Sequence, residues 1–153
     1  MQFTSAIFLI SIFNVIPAQS ADYKWIISDG PSGGIAMAYD GLDFGLFVEC
    51  LTVDQYMLTA ITNREYEATG FGGGVAIRVD KGEINRNLGI IGDPVGQFAA
   101  TSTTISDEIV SQIEQANESV TVALTDGDDV RFIAIASANG STDAARELKA
   151  SCK

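Results

Sequence analysis

Two cysteines, Cys50 and Cys152, constrain this 153-residue chain more than any other feature. Around the first, Phe44, Leu46, Val48 and Cys50 alternate with Gly45, Phe47 and Glu49. That period of two puts Cys50 on the apolar face of a strand. Near the C-terminus Ala145, Leu148 and Cys152 recur at i, i+3 and i+7, which puts Cys152 on the inward stripe of a terminal helix. Both thiols therefore point at the core. In an exported protein, two such cysteines predict one disulfide tying the last helix to a mid-chain strand. Free thiols or a bridge between molecules are the alternatives. There is no C-x-x-C pair, so a redox role is not expected.

Export itself is read from residues 1–20, which carry no charge. The apolar stretch from Ala6 to Ile16, interrupted by Ser11 and Asn14, is shorter than the ~20 residues of a membrane span. It suits the ~7–15-residue apolar region of a secretory signal peptide. Pro17 breaks it, and Ala18-Gln19-Ser20 places small residues at −3 and −1, so cleavage is expected after Ser20. The absence of Lys or Arg before the apolar stretch departs from the usual pattern, and a buried N-terminal strand or helix is the competing reading. No lipobox cysteine lies near the cleavage point. The expectation is a single secreted β-rich domain over 21–153, periplasmic or released, with no membrane insertion after signal cleavage.

The chain holds 20 acidic and 9 basic residues, for a formal net charge of −11. Such a balance argues against nucleic acid, whose phosphates need a basic face, and against an anionic membrane surface. A cationic partner is compatible with it, as is mere solubility.

Period-two alternation and turn residues predict strands at 23–28, 35–39, 44–50, 55–62, 75–80, 84–88, 96–102, 120–124 and 130–136. Asp40-Gly41 marks a hairpin between the second and third of these. Ile109, Val110, Ile113 and Ala116 predict a helix over 106–116, capped by Thr104 or Ser106 and with Asp107 and Glu108 in its first turn. A terminal helix over 142–151 follows, with Ser141 as its N-cap. Without βαβ alternation a parallel sheet is not expected. The prediction is a mostly β chain: an antiparallel β-sandwich or half-open barrel, one mid-chain helix and a docked C-terminal helix.

The chain contains no histidine. That removes the commonest general base and metal ligand, and with them a Ser-His-Asp site. Carboxylate groups at Asp40/Asp43, Glu65/Glu67 and Asp126/Asp128/Asp129 could in principle serve glycoside hydrolysis, but Asp at hairpin turns is chosen for backbone reasons. An EF-hand starting at Asp126 would need Glu where Ser137 stands, so it fails. Gly70–Gly74 lacks the G-K-[ST] ending of a phosphate loop and reads as a flexible loop. No catalytic residue, no metal and no cofactor is assigned. Among the aromatics, Tyr23 and Trp25 share a strand face and read as core. Tyr66, in a charged loop, and Phe71, in the glycine-rich segment, are the expected partner-binding residues.

Gly45-Leu46-Phe47-Val48-Glu49-Cys50 and the run from Phe132 to Cys152, behind a leader and an early Trp, resemble small disulfide-linked periplasmic proteins of Gram-negative bacteria. The type VI secretion-associated TagO-like proteins and the invasion-associated locus B-like proteins are the groups in question. The latter generally carry further cysteines near the start, which this chain lacks. The resemblance implies a bacterial envelope protein, an accessory or binding module without a catalytic motif to carry over. The expected function is a non-catalytic secreted or periplasmic binding or accessory protein acting on an unidentified protein or envelope component. Inhibition of a basic hydrolase such as lysozyme, or a small carboxylate-based hydrolase, are the alternatives.

Overall fold

A computed structural model describes residues 19–21, 24–30, 33–39, 44–62, 73–88, 90–91, 99–126 and 128–152. The element order is β1 (Gln19–Ala21), β2 (Ile26–Gly30), β3 (Gly33–Tyr39), β4 (Phe44–Thr52), β5 (Gln55–Thr62), β6 (Gly73–Val79), β7 (Asn85–Leu88), β8 (Ile90–Ile91) and β9 (Ala99–Ser106). There follow α1 (Asp107–Glu114), β10 (Ser119–Asp126), β11 (Asp129–Ser137) and α2 (Ser141–Ser151). Two open sheets result, one in the order β1-β11-β10-β6-β7, the other β2-β3-β4-β5-β9-β8. Among the described residues neither closes into a barrel, and the arrangement is consistent with the expected β-sandwich.

Alternation builds the core. In the larger sheet Ala36 faces Val48, Val48 faces Leu58, and Cys50 faces Tyr56, which faces Ile105. All of these side chains are buried. In the smaller sheet Val75, Ile77 and Val79 stand opposite Leu124, Val122 and Val120. Both sets, with Ile109, Val110 and Ile113 of α1 and Ala144, Ala145 and Leu148 of α2, belong to one apolar cluster. The opposite faces carry Glu49, Met57, Arg78 and Thr121, which are half-buried or exposed.

Three expectations are corrected. The strand pairing is not wholly antiparallel: β1 runs parallel to β11, Ser20 opposite Ile135. Gln19 and Ser20 would leave with a leader cleaved after Ser20. Ser141 does not cap α2. Gly140 is the N-cap, with φ +82°, and a Cβ there would lie 2.6 Å from the Trp25 carbonyl. That close approach and the positive φ both call for glycine at this position. Ser141 starts the helix instead, and its buried hydroxyl has no hydrogen-bond partner. At α1, Ser106 occupies the N-cap position but makes no side-chain cap bond.

Asp80 ties the turn after β6 to the loop before β10. Its backbone takes φ +50°. Its carboxylate accepts from the amides of Asn117 (3.0 Å), Glu118 (2.8 Å) and Ser119 (2.9 Å). Burial alone pushes this carboxyl up, but the amide hydrogen bonds outweigh it and hold it below the usual carboxylate range. Asp80→Asn keeps the shape and the tolerance of positive φ while removing the charge. It is expected to cost about 1.5–3 kcal/mol at neutral pH, the range for hydrogen bonds to a charged group. Because the folded-state carboxyl is depressed, this stability is present above the unfolded value near 3.8 and lost as pH falls towards the folded one. Urea midpoints of the two proteins should therefore converge below pH 4, and a gap unchanged between pH 7 and pH 2.5 would contradict the assignment.

Candidate functional site

Tyr66 and Phe71 lie outside the described residues, as do Asp40, Asp43, Glu65 and Glu67. Of the third carboxylate group, Asp128 and Asp129 are exposed beside the β10–β11 turn. Trp25 and Tyr56 are buried core residues. Cys50 and Cys152 form the expected disulfide, with Cα atoms 5.6 Å apart. No group of three or more Asp, Glu or Cys among the described residues is placed to hold a metal.

One arrangement has the spacing of a nucleophile and its base. Lys149 Nζ lies 2.8 Å from Ser111 Oγ, between α2 and α1. The chemistry does not follow. A base lysine must be neutral, and Lys149 is the ion-pair partner of Asp107 (3.7 Å) and Glu114 (3.5 Å). Its ammonium donates to Ser111, whose own hydroxyl donates to Asp107 at 3.4 Å. Tyr56 Oη donates to the other oxygen of Asp107 at 3.1 Å. Burial first, and Asp107 second, push the Tyr56 hydroxyl from 10.0 to about 12, so it stays a neutral donor. This network clamps the two helices over the end of β5.

The more telling feature lies on the outer face of the smaller sheet. Across β7, β6, β10 and β11 one cross-strand row reads Arg86, Ala76, Ala123, Ile133. Ala76 and Ala123 have no atoms beyond Cβ, so the sheet surface sinks between longer neighbours. One row along, Gly74 stands opposite Thr125. A Cβ on Gly74 would sit 2.6 Å from Thr125 Oγ1, so that position stays without a side chain and the surface is low there as well. A shift in register after Leu124 then sets Val130 opposite Thr125. The resulting groove has a volume of about 210 Å³ and is walled by Ile84, Val130 and Ile133. Ile84 and Val130 leave 55% and 41% of their surface in water, two of the five large apolar side chains exposed among the described residues.

Arg78 and Arg86 stand at its rim. Arg86 faces Ala76, so Arg78 is its diagonal neighbour, with Cα atoms roughly 7–8 Å away. Both are exposed. Neither has an ion pair among the described residues, whereas Lys81, Arg146 and Lys149 do. Among the described residues no carboxylate lines the groove, in a chain where acids outnumber bases 20 to 9. An apolar trough with paired guanidiniums can recognise a ligand that is apolar at one end and anionic at the other.

Reading the sequence alone misses this site. The signal available was the presence of small residues, Ala76 and Ala123, at outward strand positions. Which strands are neighbours was not readable. A second, more polar cleft of about 460 Å³ opens between β7 and β9, lined by Asn85, Asn87, Thr104 and Ser106 among others. Asn87 Nδ2 is buried there without a hydrogen-bond partner.

Among solved structures the chain is similar to invasion associated protein B of Bartonella henselae, with a TM-score of 0.59 over 85% of this chain and 94% of that one. At 13% identity the likeness is one of fold. No family model and no curated protein matches the chain.

Proposed function

We propose that this chain is a non-catalytic, extracytoplasmic binding module that engages a partner protein or envelope component through the groove between Arg86 and Ile133. The observation that carries the reading is the juxtaposition of exposed apolar walls with two guanidiniums that have no ion pair among the described residues. Exposed Ile and Val flanking a concave, cation-rimmed face are the composition of a recognition surface rather than of a solvated one. The disulfide supports an oxidising compartment. The leader expected from residues 1–20 and the resemblance to periplasmic proteins support the same address. A second reading, inhibition of a basic hydrolase such as lysozyme, is favoured by the net charge of −11. It predicts loss of lysozyme turnover on mixing, which the groove reading does not.

Ala123→Phe fills the groove from its half-buried floor. It is expected to abolish capture of the partner while leaving the thermal midpoint within a few degrees. The check is photo-crosslinking in the native envelope from a probe at Ile84, with a probe at Ile26, exposed on the other sheet, as the control. Adducts of equal strength from both positions, or adducts that survive Ala123→Phe, would place the interface elsewhere.

A further inference from the structure

We infer that the occupant of this groove is an acidic, extended segment of a partner protein, anchored by one large apolar side chain seated over Ala76 and Ala123. The inference rests on the groove being the binding site and adds the chemistry of what it takes.

Charge argues first. A basic partner would be drawn to most of this surface, but at the groove it would meet Arg78 and Arg86 with no lining carboxylate among the described residues to offset them. A carboxylate meets planar, forked donors there and releases no buried charge elsewhere. The two guanidiniums rise from diagonal positions on adjacent strands, about 7–8 Å apart at Cα. Same-face side chains of an extended segment recur at about 6.6–6.8 Å. Two acidic side chains of one such segment can therefore reach both.

Size argues second. At about 210 Å³ the groove is smaller than the ~300–1,000 Å³ of sites that enclose small molecules. It has room for one large side chain, and a long acyl chain would leave most of its length in water. Position argues third. Asp128 is exposed two residues before Val130. It disfavours further acids at that end, so the anionic part belongs over the arginines and the apolar part towards Val130 and Ile133.

The test is selection of a displayed random-peptide library on the purified, disulfide-intact protein, with parallel selections on the Arg78→Glu/Arg86→Glu double variant and on Ala123→Phe. Both arginines are exposed and Ala123 is only half-buried, so folding is verified by unchanged melting. The expected result is enrichment of peptides pairing Asp or Glu with Phe, Leu or Trp. Their affinity should fall roughly tenfold or more on the double charge reversal and weaken with added salt. Peptides that are lost on Ala123→Phe but carry no acid would overturn the acidic occupant and leave the groove reading standing. Peptides indifferent to all three substitutions would overturn both. Displacement of the selected peptides by laurate at submillimolar concentration would assign the groove to an anionic amphiphile instead.

Discussion

Removing the Cys50–Cys152 bond is expected to lower the free energy of unfolding by up to about 4.7 kcal/mol, the chain-entropy value for a loop of ~100 residues. The two cysteines are 102 positions apart, so the closed loop includes β6, β7, β10 and β11 of the smaller sheet and β5, β8 and β9 of the larger. Cys50 lies in β4 and Cys152 just past α2, and the bond pins that helix to the strand it packs near. Against a typical total of about 5–15 kcal/mol, such a loss is large. The native contacts around it should nevertheless survive. Ala144, Ala145 and Leu148 bury the inner stripe of α2 whether or not the sulfurs are joined. The Cys50→Ala/Cys152→Ala variant should therefore keep its far-UV spectrum and unfold at a much lower denaturant concentration. A midpoint shift equivalent to less than about 1 kcal/mol would mean that the unfolded chain is already compact and gains little from release.

The second large effect is expected at Trp25. It is 2% exposed, and it joins three parts of the molecule. Its indole Nε1 donates to the Ser137 carbonyl at 2.9 Å, at the end of β11. Its backbone amide donates to the Asn139 carbonyl at 2.8 Å. Its own carbonyl lies against Gly140 at the start of α2. Trp25 thus leads into β2 of one sheet while it is fastened to the last strand of the other. Trp25→Ala should cost about 3–5 kcal/mol, the range for emptying a large aromatic site. Trp25→Phe separates packing from hydrogen bonding: it keeps much of the buried area and orphans the Ser137 carbonyl, for about 1–3 kcal/mol. If the two variants unfold at the same midpoint, the hydrogen bond rather than the volume holds the sheets together there.

Several elements were legible because their causes are local. Alternation at Val120, Val122 and Leu124, and at Val75, Ile77 and Val79, marks strands that the structure contains with nearly the expected bounds. The stripe of Ile109, Val110 and Ile113 marks α1 for the same reason. The disulfide was readable because two independent periodicities each aimed a cysteine at the core. The capping of α2 was not: Ser141 is a good cap by composition, but the Trp25 carbonyl, more than a hundred residues away in sequence, forbids a side chain at the position before it.

By itself the sequence determined the class of the molecule: a mostly β chain with two amphipathic helices, a core made of alternating apolar positions, and one bond joining Cys50 to Cys152. These follow from spacing and side-chain chemistry within short windows. Only the tertiary structure decided where a partner can be held. Arg86, Ala76, Ala123 and Ile133 are scattered over nearly sixty positions and carry no joint signal along the chain. Strand order and register bring them into one row. Those are set by how two whole sheets bury their inner faces against each other, a long-range condition that local spacing does not contain.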